Sequence, residues 1–468
     1  MIRILFIICY LAPLCLQSQD TLPFGEFRTA VLRFHPMLKK ASLSAERGQA
    51  NLLRAKGSFD PKLEASSASK FYNGKNYYSL QGAQIKYPTP FAMEIKGGYD
   101  LNDGTYLDPS LTTSNQGLLS LGLSMPLLQG LVMDERRAMR KMANAFVEYS
   151  ELEQAVLTNE LLLIAYDSYW LWWSSFEKKR MSDEILQFSL ERMSNVRTRA
   201  LLGQAATFDT VEARIQVGLR TQQYQEFSLN ELKTRYFLST MLWQGDSLTD
   251  AGVYVNDGTI PANPAEFQEI DGWLNDNFLK QLDTLQWTNP ELRQYDASLK
   301  MTSAELGWKR EKIKPKLNLN YHFLNEPVGS KTATGFSTEN YKWGMEFSFP
   351  LLAREARGDM RTTQIKLQEI GLSYQQKTQE TKNKALTAYR SLFALQEQLN
   401  ITTQNVEGYF VLLEGERIKF MNGESSLFMV NQREIQYAEA RIKQIDLQQK
   451  KIKNYLELLF HLGIIQRL

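Results

Sequence analysis

The chain has 468 residues, enough for two or three domains, and its 54 Lys and Arg balance 52 Asp and Glu to a net charge of +2. That balance gives nucleic-acid binding no global electrostatic support, and the basic run Glu135–Lys141 sits beside acids in helical pattern, as a solvated helix face does. His35, His322 and His461 are far apart, and no Gly-rich phosphate loop, HExxH pair or nucleophile elbow occurs, so the sequence reads as a non-enzyme without cofactor or metal.

In chain order, Met1-Ile2-Arg3 is a small basic start followed by an apolar stretch, Ile4–Leu16, and polar Gln17–Asp20. This is the pattern of a secretory signal peptide over residues 1–18, too short to span a bilayer as a helix. Cys9 and Cys15 both lie within it, so the exported chain carries no disulfide; Leu14 before Cys15 is bulky where a lipidation motif wants a small residue. No later run is long and apolar enough for a transmembrane helix.

A helix start at His35-Pro36-Met37-Leu38 is followed 25 positions after Pro36 by Pro61-Lys62-Leu63, and Asn289-Pro290-Glu291-Leu292 is followed 25 positions after Pro290 by Pro315-Lys316-Leu317. After each Pro-Lys-Leu the pattern turns to period two. Leu119, Leu121, Leu123 and Met125 alternate with Ser120, Gly122 and Ser124; Leu317, Leu319, Tyr321 and Phe323 alternate with polar residues; so do Trp343, Met345 and Phe347. Such stretches are strands with one apolar and one polar face, suited to a soluble hairpin on a core or to a tilted transmembrane strand.

Pro126 and Pro350 close the strand regions, and no proline follows until Pro261 or the chain end respectively. Proline-free tracts of good helix formers predict long helices over 133–200 and 355–420, ~100 Å each at ~1.5 Å per residue. Arg197…Gly203 and Arg417…Gly423 share a basic last turn and a glycine stop, and helices over 204–243 and 426–462 return. The aromatic group Tyr166, Tyr169, Trp170, Trp172 and Trp173 reads as helix packing at a subunit seam. Four to six strands cannot close a barrel, and open strand edges in lipid cost several kcal/mol per unpaired group, so a membrane barrel must be shared between subunits.

Together these elements resemble the TolC family of outer-membrane efflux proteins. The likeness rests on the Asn-Pro-x-Leu start, with its variant at His35, and on the strand entries at Pro61 and Pro315. It also rests on the strand exits Pro126-Leu127-Leu128-Gln129-Gly130 and Pro350-Leu351-Leu352, and on the two Arg…Gly turns. The resemblance implies long antiparallel helical hairpins forming a periplasmic α-barrel, plus a transmembrane β-barrel of twelve strands shared by three subunits, on an internal two-fold repeat. The first repeat spans 24–244, with strands in 61–126 and a hairpin over 133–243. An equatorial linker covers 245–270, and the second repeat spans 271–465, with strands in 315–351 and a hairpin over 355–462.

The implied function is an outer-membrane exit duct of a tripartite pump, extending into the periplasm and exporting small toxic molecules. Its implied partners are a periplasmic membrane-fusion adaptor, an inner-membrane pump of RND or ABC type, outer-membrane lipid, and no nucleic acid. The alternatives are a conduit for type I polypeptide secretion and, from another class, a periplasmic helical scaffold without a pore. Adaptor docking is placed at the hairpin tips, with Arg197, Gly203, Asp209, Arg417 and Gly423. The family's acidic constriction positions correspond to Asp209 and Glu212 in the first half, and to Met429 and Gln432, which are not acidic, in the second. The first strand region also holds 64 residues between Pro61 and Pro126 against 34 between Pro315 and Pro350, either an extra surface hairpin or a different strand count.

Overall fold

A computed structural model describes residues 21–204, 206–243, 255–256, 259–262, 278, 280, 282–326 and 339–468. The expected signal peptide with Cys15 and the strand-loop tip at 328–338 lie outside the described residues, as does all of the 245–270 linker except 255–256 and 259–262. The chain divides into two compact units: 1–39, 159–283 and 383–468 form one, and 40–158 with 284–382 form the other.

The described helices are α1 (Phe24–Phe34), α2 (Pro36–Lys56), α3 (Glu135–Leu201), α4 (Thr207–Ser239), α5 (Pro290–Glu311), α6 (Arg354–Met421) and α7 (Leu427–His461), with a one-turn helix at Leu285–Thr288. The described strands are β1 (Thr21–Leu22), β2 (Lys62–Tyr72), β3 (Lys75–Pro88), β4 (Glu94–Asp103), β5 (Leu118–Pro126), β6 (Ile260–Pro261), β7 (Lys316–Asn325) and β8 (Tyr341–Ser348). The uninterrupted α3 and α6, of 67 and 68 residues, contribute to both units.

Helix starts follow from local chemistry. Pro290 opens α5 with its fixed φ, and Asn289 Oδ1 accepts from the Glu291 and Leu292 amides at 2.9 and 3.2 Å. In the variant His35-Pro36, the imidazole Nδ1 takes the same role, accepting from the Met37 amide at 3.1 Å. Asp134 caps α3, its Oδ1 accepting from the Arg137 amide at 2.9 Å.

In the first unit, Phe24 and Phe27 of α1 pack against Tyr166, Tyr169 and Trp170 of α3 with ring centroids 5.1–5.4 Å apart, Phe24 edge-on to both tyrosines and the other pairs tilted. Trp172 is fully buried and donates to Glu231 at 3.1 Å. The Tyr169 hydroxyl donates to the Leu22 carbonyl of β1 at 2.7 Å and accepts from the Ala262 amide at 3.1 Å, just past β6. Burial pushes the Tyr166 phenol up to about 12. These aromatics are buried within one chain, which corrects the subunit-seam reading: α1, more than 130 residues upstream, covers Tyr166, Tyr169 and Trp170, and Trp172 bonds to α4.

In the second unit, β2-β3-β4-β5-β7-β8 form one six-stranded antiparallel sheet, the neighbours following in that order. Among the described residues the first half supplies four strands and the second half two, where the resemblance implies two from each. The excess is the hairpin of β3 and β4, whose connection Thr89–Met93 is pinned by the Thr89 amide donating to the Met93 carbonyl at 2.8 Å. The β2–β3 turn is the two-residue Asn73-Gly74, with φ of 52° and 71°, the primed turn that matches strand twist.

Candidate functional site: the helical tips and the two-faced sheet

The two tips of the first unit are built alike. At the end of α3, Gly203 has φ of 71°, its amide donates to the Ala200 carbonyl at 3.0 Å, and the Gln204 amide donates to Arg199 at 2.8 Å. At the end of α6, Gly423 has φ of 79°, its amide donates to Phe420 at 3.1 Å, and the Glu424 amide donates to Lys419 at 2.8 Å. Both are glycine C-terminal stops in the left-handed region, where a side chain is strained. Ser426 caps the returning α7, accepting from the Met429 amide at 3.3 Å. Around the turns Leu201, Leu202, Phe208, Met421 and Phe428 are all exposed, Leu201 to 82%.

Behind the tips the four long helices meet. Val196, Ala213 and Leu427 are buried together with Met193 and Phe420 against them. Glu434, on α7 and 1% exposed, accepts from Arg192 of α3 at 2.9 Å and Arg220 of α4 at 3.3 Å, and Arg417 of α6 lies 3.9 Å away. One carboxylate thus ties all four helices, facing three guanidinium groups. Arg417 also stacks over the Phe188 ring at 4.4 Å and pairs with Glu414 at 2.6 Å.

The structure places the sequence-derived tip residues unequally. Arg417 joins the buried cluster, whereas Arg197, its counterpart in spacing, is exposed on α3. Asp209 lies in the first turn of α4 and Glu212 one turn on, its carboxylate accepting from Asn431 of α7 at 3.1 Å. Met429 and Gln432 are exposed. Glu434, Arg192 and Arg220 were missed from sequence. They lie up to 242 residues apart, and a Glu on a helix reads as solvated until the partner helices are known.

The prolines of the spacing pattern sit at element junctions. Pro36 and Pro290 open helices, Pro61 and Pro315 precede β2 and β7, Pro126 ends β5, and Pro350 follows β8. Lys309 of α5 meets Asp359 of α6 at 2.5 Å and holds that carboxyl below the usual range.

Strand register divides the sheet of the second unit into two faces, because directly paired residues share a face. Ile85, Ile95, Leu123, Tyr321 and Trp343 belong to one, with Leu121, Phe323 and Phe347. Lys86, Lys96, Ser124, Asn320 and Glu346 belong to the other. The apolar face stands open: Trp343, Met345 and Phe347 are each more than half exposed. The polar face is concave, with a cavity of about 490 Å³ lined by residues including Glu64, Gln84, Asp100, Ser120, His322 and Lys342. Lys86 pairs with Glu64 at 2.7 Å on it.

Among the described residues no group of three or more His, Cys, Asp or Glu side chains could hold a metal, and no helix is long and apolar enough to cross a membrane.

Residues 282–463 match the family model described as outer membrane efflux protein. No curated protein matches the chain in sequence. The fold is that of solved outer-membrane channels. The chain matches the Campylobacter jejuni CmeC outer membrane channel with a TM-score of 0.66 at 13% identity, over 94% of this chain and 85% of that one. It matches the Vibrio cholerae outer membrane protein VceC with 0.65 at 14%, over 94% and 95%. It matches the open state of the Neisseria gonorrhoeae MtrE outer membrane channel with 0.66 at 13%, over 94% and 89%. The chain is thus similar to outer membrane efflux proteins over 282–463 and shares the fold of outer-membrane channels.

Proposed function

We propose that this protein is the outer-membrane exit duct of a tripartite efflux pump. Three copies share a barrel in the outer membrane, and their long helices line a periplasmic tunnel. An inner-membrane pump of RND or ABC type supplies the energy, and a periplasmic adaptor docks on the hairpin tips. Small toxic molecules leave through the water-filled path.

The observation that carries this reading is the sheet of the second unit. Its apolar face is exposed, its polar face is concave, and the outer edges of β2 and β8 have no partner strand among the described residues. In water the open apolar face is a liability; in a bilayer as one chain alone, the open edges cost several kcal/mol per unsatisfied group. A closed barrel shared by several copies resolves both. The exposed apolar residues at the tips, on rigid glycine turns, suit docking of an adaptor in the same way.

Fractionation and phenotype test the proposal together. The expected result is an outer-membrane protein with heat-modifiable migration as a trimer, whose deletion raises intracellular accumulation of small toxic compounds. Release from membranes by salt alone would overturn the channel reading. Unchanged drug and metal sensitivity with loss of a secreted polypeptide would replace the cargo.

A further inference from the structure

We infer that the barrel wall takes six strands from each copy, eighteen from three, with β8 of one copy pairing with β2 of the next. The inference rests on the shared-barrel reading above and changes its size: the resemblance implies twelve strands.

The deciding question is whether the β3–β4 hairpin stands above the membrane or forms part of the wall. Its turn is at the wrong end to be a surface extension. The rim where strands join helices is marked by Lys62 at the start of β2, Pro126 at the end of β5, Lys316 at the start of β7 and Ser348 at the end of β8. Lys62 is paired with Lys86, two residues from the end of β3, and Pro88 is paired with Glu94, which opens β4. The Thr89–Met93 turn therefore lies at the helix-side rim. Glu94 agrees with that height, since it accepts from Arg136 in the first turn of α3 at 3.3 Å. The two strands run the full height of the sheet.

They also carry the wall's chemistry. Ile85, Tyr87, Ile95 and Tyr99 continue the apolar face of Leu119, Leu121 and Leu123; Gln84, Lys86, Lys96 and Asp100 continue the polar face. A hairpin standing in water has no reason to keep one face apolar at the same register.

The slant of the sheet agrees. Followed straight across through the register, Lys62 faces Lys86, Lys96, Gly122, His322 and finally Lys342, six residues short of Ser348. With ~3.3 Å per residue and ~4.8 Å between strands, that stagger over five steps is a tilt of about 40°, within the range of transmembrane barrels. At this tilt eighteen strands close at a diameter of about 36 Å, against about 24 Å for twelve. Strand numbers of that order leave an open aqueous channel.

The seam is provided. Every residue of β2 and β8 is exposed, and neither strand contains an internal proline, the usual means of blunting an edge. Antiparallel pairing of β8 with β2 sets helix-side rim against helix-side rim and continues both faces across the junction.

Single cysteines test the wall directly, in the chain freed of residues 1–18. Fluorescent labels at Ile85→Cys, Ile95→Cys and Leu121→Cys in proteoliposomes are expected to lose emission to brominated lipid alike. Labels at Gln84→Cys and Lys96→Cys should stay bright and react with a membrane-impermeant thiol reagent. Quenching at position 121 without quenching at 85 and 95 overturns the eighteen-strand wall and leaves the channel standing. Absence of quenching at 121 as well overturns the membrane reading itself. A panel of chains with one cysteine on β2 and one on β8 is expected to yield covalent trimers on oxidation; quenching at 85, 95 and 121 with no covalent trimer from any pair overturns the seam.

Discussion

Glu434 Oε2 of α7 accepts from Arg192 Nη2 of α3 at 2.9 Å, and the Glu434 side chain is 1% exposed. With Arg220 and Arg417 also on that carboxylate, Glu434 is the counter-charge that three guanidinium groups share. Removing one member of a buried ionic cluster leaves the others desolvated and uncompensated. Glu434→Ala is expected to destabilise the first unit by about 3–5 kcal/mol, seen as an earlier loss of helical circular dichroism in guanidinium chloride. Glu148→Ala, which breaks an exposed pair with Lys300 at 2.9 Å, is expected to cost about 1 kcal/mol or less. Equal shifts for the two variants would show that the cluster is not a stabilising tie.

His35 performs the capping role of Asn289 with a titratable ring. Its Nδ1 accepts from the Met37 amide only when that nitrogen is unprotonated, and burial lowers its pKa below the ordinary 6.5 despite a backbone hydrogen bond with Thr240. A depressed histidine pKa means that the unfolded chain takes up the proton first. Stability from this site is therefore complete above pH ~6.5 and falls as pH drops below it towards the folded value. His35→Asn is expected to keep the cap and flatten the pH dependence of the unfolding midpoint in that window; His35→Ala should cost about 1 kcal/mol at neutral pH. A steeper acid sensitivity in His35→Asn than in the native chain would contradict this.

Much of the architecture was legible because the chain punctuates its elements with residues that have one physical meaning. Pro36, Pro290, Gly203 and Gly423 mark helix ends by fixed φ or tolerated positive φ, and the alternation around Leu121 and Phe347 marks faces. The strand count was not legible. The excess between Pro61 and Pro126 fits a surface hairpin as well as added strands until the register of β4 with β3 and β5 is known. The role of Tyr166–Trp173 was misread because an aromatic stripe does not reveal its cover, here Phe24 and Phe27 of α1. The Glu434 cluster was invisible since each member is an ordinary helix charge until four helices converge.

Gly203 and Gly423 sit in the left-handed region, and a Cβ added at either would meet no atom within 4 Å, so the cost of substitution is backbone strain and not a clash. For a β-branched residue that strain exceeds the roughly 1–2 kcal/mol of the left-handed conformation for an ordinary L-residue. Gly203→Val and Gly423→Val are expected to loosen the tips while leaving the sheet intact, giving normal outer-membrane insertion but reduced adaptor cross-linking and efflux. Gly203→Asn, which tolerates positive φ, should be milder. Wild-type trimer level and efflux in Gly203→Val would refute the role given to the turn.

Met345 and Glu346 are consecutive in β8 and fall on opposite faces, Met345 paired with Leu319 and Glu346 with Asn318. If the apolar face meets lipid, an arginine there must be buried in hydrocarbon, at about 2–4 kcal/mol near the bilayer midplane and less towards the interfaces. Met345→Arg is therefore expected to lower the urea concentration at which the protein unfolds from lipid and to reduce the heat-modifiable trimer band. On the proposed barrel, Glu346→Arg places the same side chain on the lumen face, where it should leave folding unchanged and move the reversal potential in a salt gradient towards anions. The comparison holds side chain and strand constant, so only the medium differs. Equal loss of folding in both variants would mean that the two faces see the same solvent, and the sheet could not then be a barrel wall.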